Sequence, residues 1–234
     1  MRWNFERDSL LGRALRPHVE RVLLRSLKRS LRGVYLKGEL IPPPFVLAMN
    51  HHSFFDGHLV WLLFRHAEVR GSLLISEENL RAFPVLAAAG ALSTRRLREA
   101  LRRLEAGEAV AIFPEGELRP AGPLGALQPG AVWLAQKARV PLLPAGSRVW
   151  LRGYEHPEAF LLVGEPVEPA LPRLEEALRA LLSALDALHQ ATHPRAIPSG
   201  FSPILAGRRS LDERLARLFR GVPPRDWPPR PPPP

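Results

Sequence analysis

Short apolar runs alternate with longer stretches of helical periodicity along most of the chain, and that alternation narrows the fold to a sheet covered by helices. Runs of strand length occur at Val34–Lys37, Phe45–Met49, Gly71–Ile75, Ala109–Phe113, Leu142–Val149 and Phe160–Val163. Apolar residues recur at three- and four-residue spacing over Gly57–His66, Glu78–Ala88, Arg96–Glu105, Pro129–Ala138 and Leu171–Ala191, the stripe of a helix packed on one side. The expected architecture is α/β: one domain with a mixed β-sheet flanked by helices, preceded by a basic amphipathic helical region. No apolar run approaches the ~18–20 residues of a bilayer-spanning helix, the longest being Val85–Leu92 and Leu59–Phe64. The N-terminus also lacks the unbroken apolar core of a secretory signal. The chain therefore divides into a basic helical region at 1–33, the α/β body at 34–192, and a Pro-rich extension at 193–234. That extension carries one short helix over Leu211–Arg220 and ends in a polyproline-like tail.

Charge is where composition enters. The 234 residues hold 33 Lys+Arg against 23 Asp+Glu, a net +10, and no cysteine. Disulfides, thiolate metal sites and thiol nucleophiles are thus excluded. Nine of the basic residues, and only three acids, fall within residues 1–33. There the pattern over Asp8–Leu31 is helical, with Leu11, Leu15, Val19, Val22, Leu23, Leu27 and Leu31 on one stripe and arginines mostly on the others; Pro17 is a point where the helix is expected to split or kink. Such a helix, with Trp3 and Phe5 before it, suits the surface of an anionic membrane. It equally suits packing against its own domain, and the two agree if the helix shares its rim with lipid. The expected location is peripheral, on the cytoplasmic side of the cell membrane. A basic nucleic-acid-binding module is the competing class. Against it, aromatic residues do not interleave with the basic stretches and no nucleic-acid-binding signature is present, so no nucleic-acid partner is expected.

Polar clusters follow two of the apolar runs. Asn50-His51-His52-Ser53-Phe54-Phe55-Asp56 comes directly after Phe45–Met49, and Pro114-Glu115-Gly116 directly after Ala109–Phe113. In open α/β sheets ligands gather at the carboxyl ends of strands, so the two clusters suggest one site. Histidine is the side chain best suited to act as a base near neutral pH, and a carboxylate can fix its tautomer. On a continuous helix His52 and Asp56, four apart, face each other better than His51 and Asp56, five apart and about 140° round the axis; His51 pairs with Asp56 only from a turn outside the helix. Glu115 is suited to orient a polyol hydroxyl, and Gly116 to close backbone approach. A third cluster, Gly90 to Arg96, leads into Arg98, Arg102 and Arg103, and arginine forks bind phosphate, helped by a helix start. His51, His52, Asp56 and His58 are of metal-ligand type, but no second cluster with ligand spacing accompanies them, and no metal or cofactor is expected.

In this order and spacing the clusters resemble the glycerolipid acyltransferase family, which includes the 1-acylglycerol-3-phosphate O-acyltransferases. Asn50-His51-x-Ser53-x-x-Asp56 is similar to that family's HX4D block. Gly90 to Arg96 is similar to its second block, Phe113-Pro114-Glu115-Gly116 to its third, and Val140-Pro141-Leu142-Leu143-Pro144 to its fourth. The resemblance implies acyl transfer from acyl-CoA or an acyl-carrier protein to a lipid hydroxyl, 1-acylglycerol-3-phosphate foremost. It implies His51 and Asp56 as the catalytic pair, in place of His52, and Asn50, Ser53, Arg96, Glu115, Gly116 and Arg119 as substrate contacts. A thioester is already electrophilic, and neither a cysteine nor a G-x-S-x-G elbow is present to form a covalent intermediate.

The sequence departs from the family in its third block. Glu117 and Leu118 stand where Thr and Arg usually follow the glycine, Arg119 comes one place late, and Gln128-Pro129 replaces a downstream basic residue. A carboxylate at Glu117 repels a phosphate dianion, so an unphosphorylated acceptor, such as the sugar of a glycosylated lipid or carotenoid, is the alternative to 1-acylglycerol-3-phosphate.

Overall fold

Eight strands among the described residues, β1 (Gly33–Lys37), β2 (Val46–Met49), β3 (Gly71–Ile75), β4 (Ala91–Ser93), β5 (Ala109–Ile112), β6 (Leu142–Trp150), β7 (Glu158–Val163) and β8 (Ser202–Ala206), join one mixed sheet in the order β4-β3-β5-β2-β6-β7-β1-β8. The computed structural model describes residues 6–218; Trp3, Phe5, the end of the last helix at Arg220 and the proline tail lie outside the described residues. From β4 to β6 the neighbours are parallel. β7 is antiparallel to β6, β1 is parallel to β7, and β8 is antiparallel to β1.

Both faces of the sheet are covered, and for that reason the central strands read as continuous apolar runs. In β2, Val46 and Ala48 face α4 (Leu97–Glu105), α5 (Gly130–Ala138) and α6 (Leu171–Ala191), in a core with Leu104, Leu134, Leu178 and Leu182. Leu47 and Met49 face the opposite core, built on α2 (Asp56–His66) and the end of α1 (Leu10–Ser30) through Leu59, Leu63 and Leu27. The expected α/β architecture is therefore present, with a helix preceding it.

The differences have local causes. β8 lies in the Pro-rich segment, and Pro203 is tolerated because β8 is an edge strand, where a missing N–H leaves no ladder bond broken. β4 has only three residues, too few to show a period. The helix expected over Glu78–Ala88 is instead α3 (Glu77–Ala82), capped by Ser76, followed by a 3₁₀ turn at Pro84–Ala89; Pro84 cannot continue an α-helix. Pro17 does not split α1, which runs unbroken from the Ser9 cap to Ser30. The final short helix, α7, spans Leu211–Leu218.

The leucine stripe of α1 is not free. Val19 and Leu23 pack with Leu86, Ala88 and Ala89 of the 3₁₀ turn, and Leu27 and Leu31 are fully buried. Two of the N-terminal basic residues are also structural. Arg7 is buried and bonds Glu108 and the Gly71 carbonyl. Arg32 bridges Glu158 at 2.8 Å and Glu213 at 2.9 Å. What α1 shows to solvent is Arg13, Arg16, Arg21, Arg25, Lys28 and Arg29, with Leu10 and Val22 among them. No helix of the described residues is long and apolar enough to cross a membrane.

Candidate active site

The turn between β2 and α2 folds around one carboxylate. Asp56, in the first turn of α2 and fully buried, accepts the backbone N–H groups of His52 and Ser53 on Oδ2, each at 2.8 Å. The same oxygen lies 2.9 Å from His51 Nδ1. Ser147 of β6 donates its hydroxyl to Oδ1 at 3.1 Å. Placing Asp56 at a helix start adds favourable dipole and N–H contacts to a charge that would otherwise be costly to bury. His51 sits in the turn, off the helix proper, which is how a pair five residues apart comes together.

Hydrogen bonding to a carboxylate puts the His51 ring proton on Nδ1, and Nε2 then carries the lone pair. The ring is held flat on Phe113, with centroids 4.3 Å apart and planes 13° apart. Its side chain keeps 25% of its surface exposed, against 0% for Asp56. A buried acceptor behind an oriented, partly exposed imidazole is the arrangement that a general base requires.

His52 is a different kind of residue. Its Nε2 accepts the Val149 N–H at 3.2 Å, its Nδ1 stands 3.9 Å from Asp56 Oδ1, and its ring is buried against β6. Burial holds its pKa below the ordinary value, with Asp56 opposing and Arg148 assisting. The helical-face argument for a His52–Asp56 pair fails because the helix begins only at Asp56. His58 is likewise shifted down by burial, between the rings of Phe54 and Phe55. Among the described residues no group of three or more His, Asp and Glu side chains is placed to hold a metal ion.

Several residues expected to touch substrate are also bonded within the protein. Asn50 is buried and tied to β6, accepting the Ser147 N–H at 2.8 Å and donating to the Ser147 carbonyl at 3.3 Å. Glu115 does not present a free carboxylate: Oε2 accepts the His51 N–H at 2.7 Å and Oε1 the Gly125 N–H at 2.9 Å. It thereby joins the catalytic turn to the loop after β5. Ser53 closes the turn before α2, its hydroxyl accepting the Phe55 N–H at 3.2 Å. Gly116 adopts φ +76°, a left-handed conformation that a side chain disfavours, and is exposed. The Arg119 N–H donates to the His51 carbonyl at 2.8 Å, while its guanidinium pairs with Glu117 at 2.7 Å. Arg96 stands apart, at the start of α4 beyond the edge strand β4, paired with Glu6 at 2.9 Å. Phe113 is marked in the sequence only as the first residue of the third block, and Ser147, 91 residues from Asp56, has no local pattern to mark it.

A family model described as Acyltransferase matches residues 33–148, which contain His51, Asp56, Phe113, Glu115 and Ser147. The chain is also similar in fold to the crystal structure of the 1-acyl-sn-glycerophosphate (LPA) acyltransferase, PlsC, from Thermotoga maritima, at 23% identity and a TM-score of 0.58, over 76% of this chain and 82% of that one. No curated protein matches in sequence.

Proposed function

We propose that this chain, which belongs to the acyltransferase family, moves a fatty acyl group from an acyl thioester to the hydroxyl of 1-acylglycerol-3-phosphate at a membrane surface. The observation that carries this reading is the 2.9 Å contact between His51 Nδ1 and Asp56 Oδ2 in a turn that leaves Nε2 open. In the reaction the acceptor oxygen attacks the thioester carbonyl carbon as His51 Nε2 takes its proton. Asp56 steadies the imidazolium so formed. The tetrahedral oxyanion then collapses, the C–S bond breaks, and the leaving thiolate recovers the proton from His51. The products are an ester and a free thiol, with no covalent enzyme intermediate and no metal or cofactor taking part. The donor is acyl-CoA or an acyl-carrier protein.

The PlsC likeness supports 1-acylglycerol-3-phosphate as acceptor, since that protein is named for it. One observation favours a second reading, an unphosphorylated acceptor such as a glycosylated lipid. The guanidinium of Arg119, whose backbone bonds the catalytic turn, is engaged by Glu117, and a phosphate must compete with that carboxylate. Membrane contact is assigned to the rim of α1, where arginines surround exposed Leu10 and Val22, and not to its leucine stripe. The enzyme would then lie peripherally, on the cytoplasmic side of the cell membrane. The test is mass spectrometry of products from a mixture of 1-acylglycerol-3-phosphate, glycolipid and glycerol acceptors with one acyl-CoA. Phosphatidate as the main product is expected; acylated glycolipid alone replaces the first reading with the second, and no ester at all ends both.

A further inference from the structure

An open cavity of about 900 Å³ lies at the start of α4, lined by Thr94, Arg95, Arg96, Arg98, Arg102 and Glu6 among others. No residue of the catalytic turn lines it. The arginines that line it are exposed, though all but one pair with an acid: Arg96 with exposed Glu6 at 2.9 Å, Arg102 with half-buried Glu99 at 2.7 Å, and Arg95 with Glu78, outside the cavity, at 4.0 Å. Arg98 alone among the lining arginines has no such pair among the described residues. Four arginines against two lining carboxylates leave a positive excess, and exposed pairs of this kind yield readily to a phosphate, which offers more acceptor oxygens and more charge.

Position decides which phosphate. Arg96 follows β4, and β4 is separated from β2 by β3 and β5, three strand spacings. Because His51 leans over Phe113 at the end of β5, the separation from its ring is ~10–14 Å at about 4.8 Å per strand. In a glycerophosphate the phosphorus stands only ~4–5 Å from the reacting hydroxyl, four bonds away. An acceptor poised on His51 therefore cannot place its phosphate among Arg98 and Arg102. In a coenzyme A thioester about thirteen bonds, an extended ~16 Å, separate the sulfur from the first phosphorus. That span matches.

We infer that this cavity is the docking site for the phosphates of an acyl-CoA donor, with the pantetheine arm crossing the ends of β3 and β5 to bring the thioester to His51. Arg98 and Arg102, four residues apart on one face of α4, form its floor. The inference rests on the acyl-transfer reading for its kinetic consequence but not for its binding consequence.

The experiment uses the full chain and its Arg98→Gln/Arg102→Gln variant. Calorimetric binding of free coenzyme A, pantetheine and inorganic phosphate is read first, then initial rates with palmitoyl-CoA and 1-acylglycerol-3-phosphate varied in turn. Coenzyme A is expected to bind the native chain at least tenfold more tightly than pantetheine, as phosphate contacts require. In the variant, its Kd and the KM for palmitoyl-CoA should rise about tenfold, with the acceptor KM and kcat unchanged. Pantetheine binding as tightly as coenzyme A overturns the inference, and so does a variant that raises the acceptor KM alone or leaves coenzyme A binding unchanged. A native chain that binds coenzyme A through these arginines yet forms no ester leaves the cavity's assignment standing and removes the reading of the reaction.

Discussion

The catalytic turn and the arginine-bearing surfaces use charge in opposite ways. Around Asp56 the polar groups are buried and matched within the protein, by Ser147, by two backbone N–H groups and by His51. On α1 and α4 the charges are exposed, and the ion pairs are between flexible side chains such as Arg96 and Glu6, more than half exposed on both sides. A buried, fully bonded network is sensitive to geometry, because each orphaned group carries its whole desolvation cost. Exposed pairs contribute little to stability and can be exchanged for a partner's charges. The difference fits the proposed division, in which the buried turn would carry the chemistry and the exposed arginines the capture of charged partners.

Removing His51 is the sharpest way to break that contrast. His51→Ala should lower kcat by about 10²–10⁴-fold, the usual worth of a positioned base, with the thermal midpoint little changed, since the side chain is partly exposed and ends at the site. Undiminished turnover would remove His51 from the mechanism. Neutralising Arg21, Arg25, Lys28 and Arg29 together to Gln acts on the other region. Each basic group near an anionic bilayer is worth about 1 kcal/mol, so removing four should weaken co-sedimentation with anionic liposomes by up to about three orders of magnitude while turnover of dispersed short-chain substrates holds. Equal binding by native and variant protein would move the membrane contact away from α1.

The same contrast governs what was legible in the sequence. His51 and Asp56 lie within one turn, but helical spacing favoured His52; the resemblance to the acyltransferases pointed to His51, which meets Asp56 at 2.9 Å because it sits in the turn before the helix. The cores were legible from local pattern: Val46, Leu47, Ala48 and Met49 are buried on both faces and appear as one unbroken apolar run. Ser147 contributes through a strand 91 residues away, and no spacing rule reaches that far. Glu115 reads in the sequence as a strand-end carboxylate, and its two backbone partners, His51 and Gly125, are visible only in the fold, because they lie 64 and 10 residues away. The leucines of α1 were visible as a stripe, but periodicity does not say whether a stripe meets lipid or a neighbouring turn.

Ser147 offers a subtler break. Among the described residues its hydroxyl is the one side chain other than His51 that donates to Asp56, and it is fully buried. Ser147→Ala leaves Oδ1 without that donor, and about 1 kcal/mol of orientation is lost. Turnover should fall about fivefold in kcat with both KM values unchanged, the sign of an effect on the reacting geometry and not on binding. Ser147→Thr, which keeps the hydroxyl, should recover part of the rate. A rise in KM at constant kcat would instead put Ser147 in the substrate site.

The smallest effect separates the two histidines that share the turn. His52 is held below its ordinary pKa of 6.5, chiefly by burial, despite the pull of Asp56 and Glu115. His58 is lowered by burial as well. An unfolded chain takes up protons at these sites near pH 6.5, while the folded chain does not until the pH reaches the depressed native values. Protons therefore favour the unfolded state, and stability falls as pH drops below 6.5, before the carboxylates titrate. Urea unfolding between about pH 7 and pH 5 should show that decline, and His52→Gln, which cannot titrate, should make it shallower while His58 and His189, also lowered by burial, keep the remainder. Stability that rose on acidification through this window would mean that His52 gains a proton in the folded state, and the distinction between a structural His52 and a reactive His51 would fail.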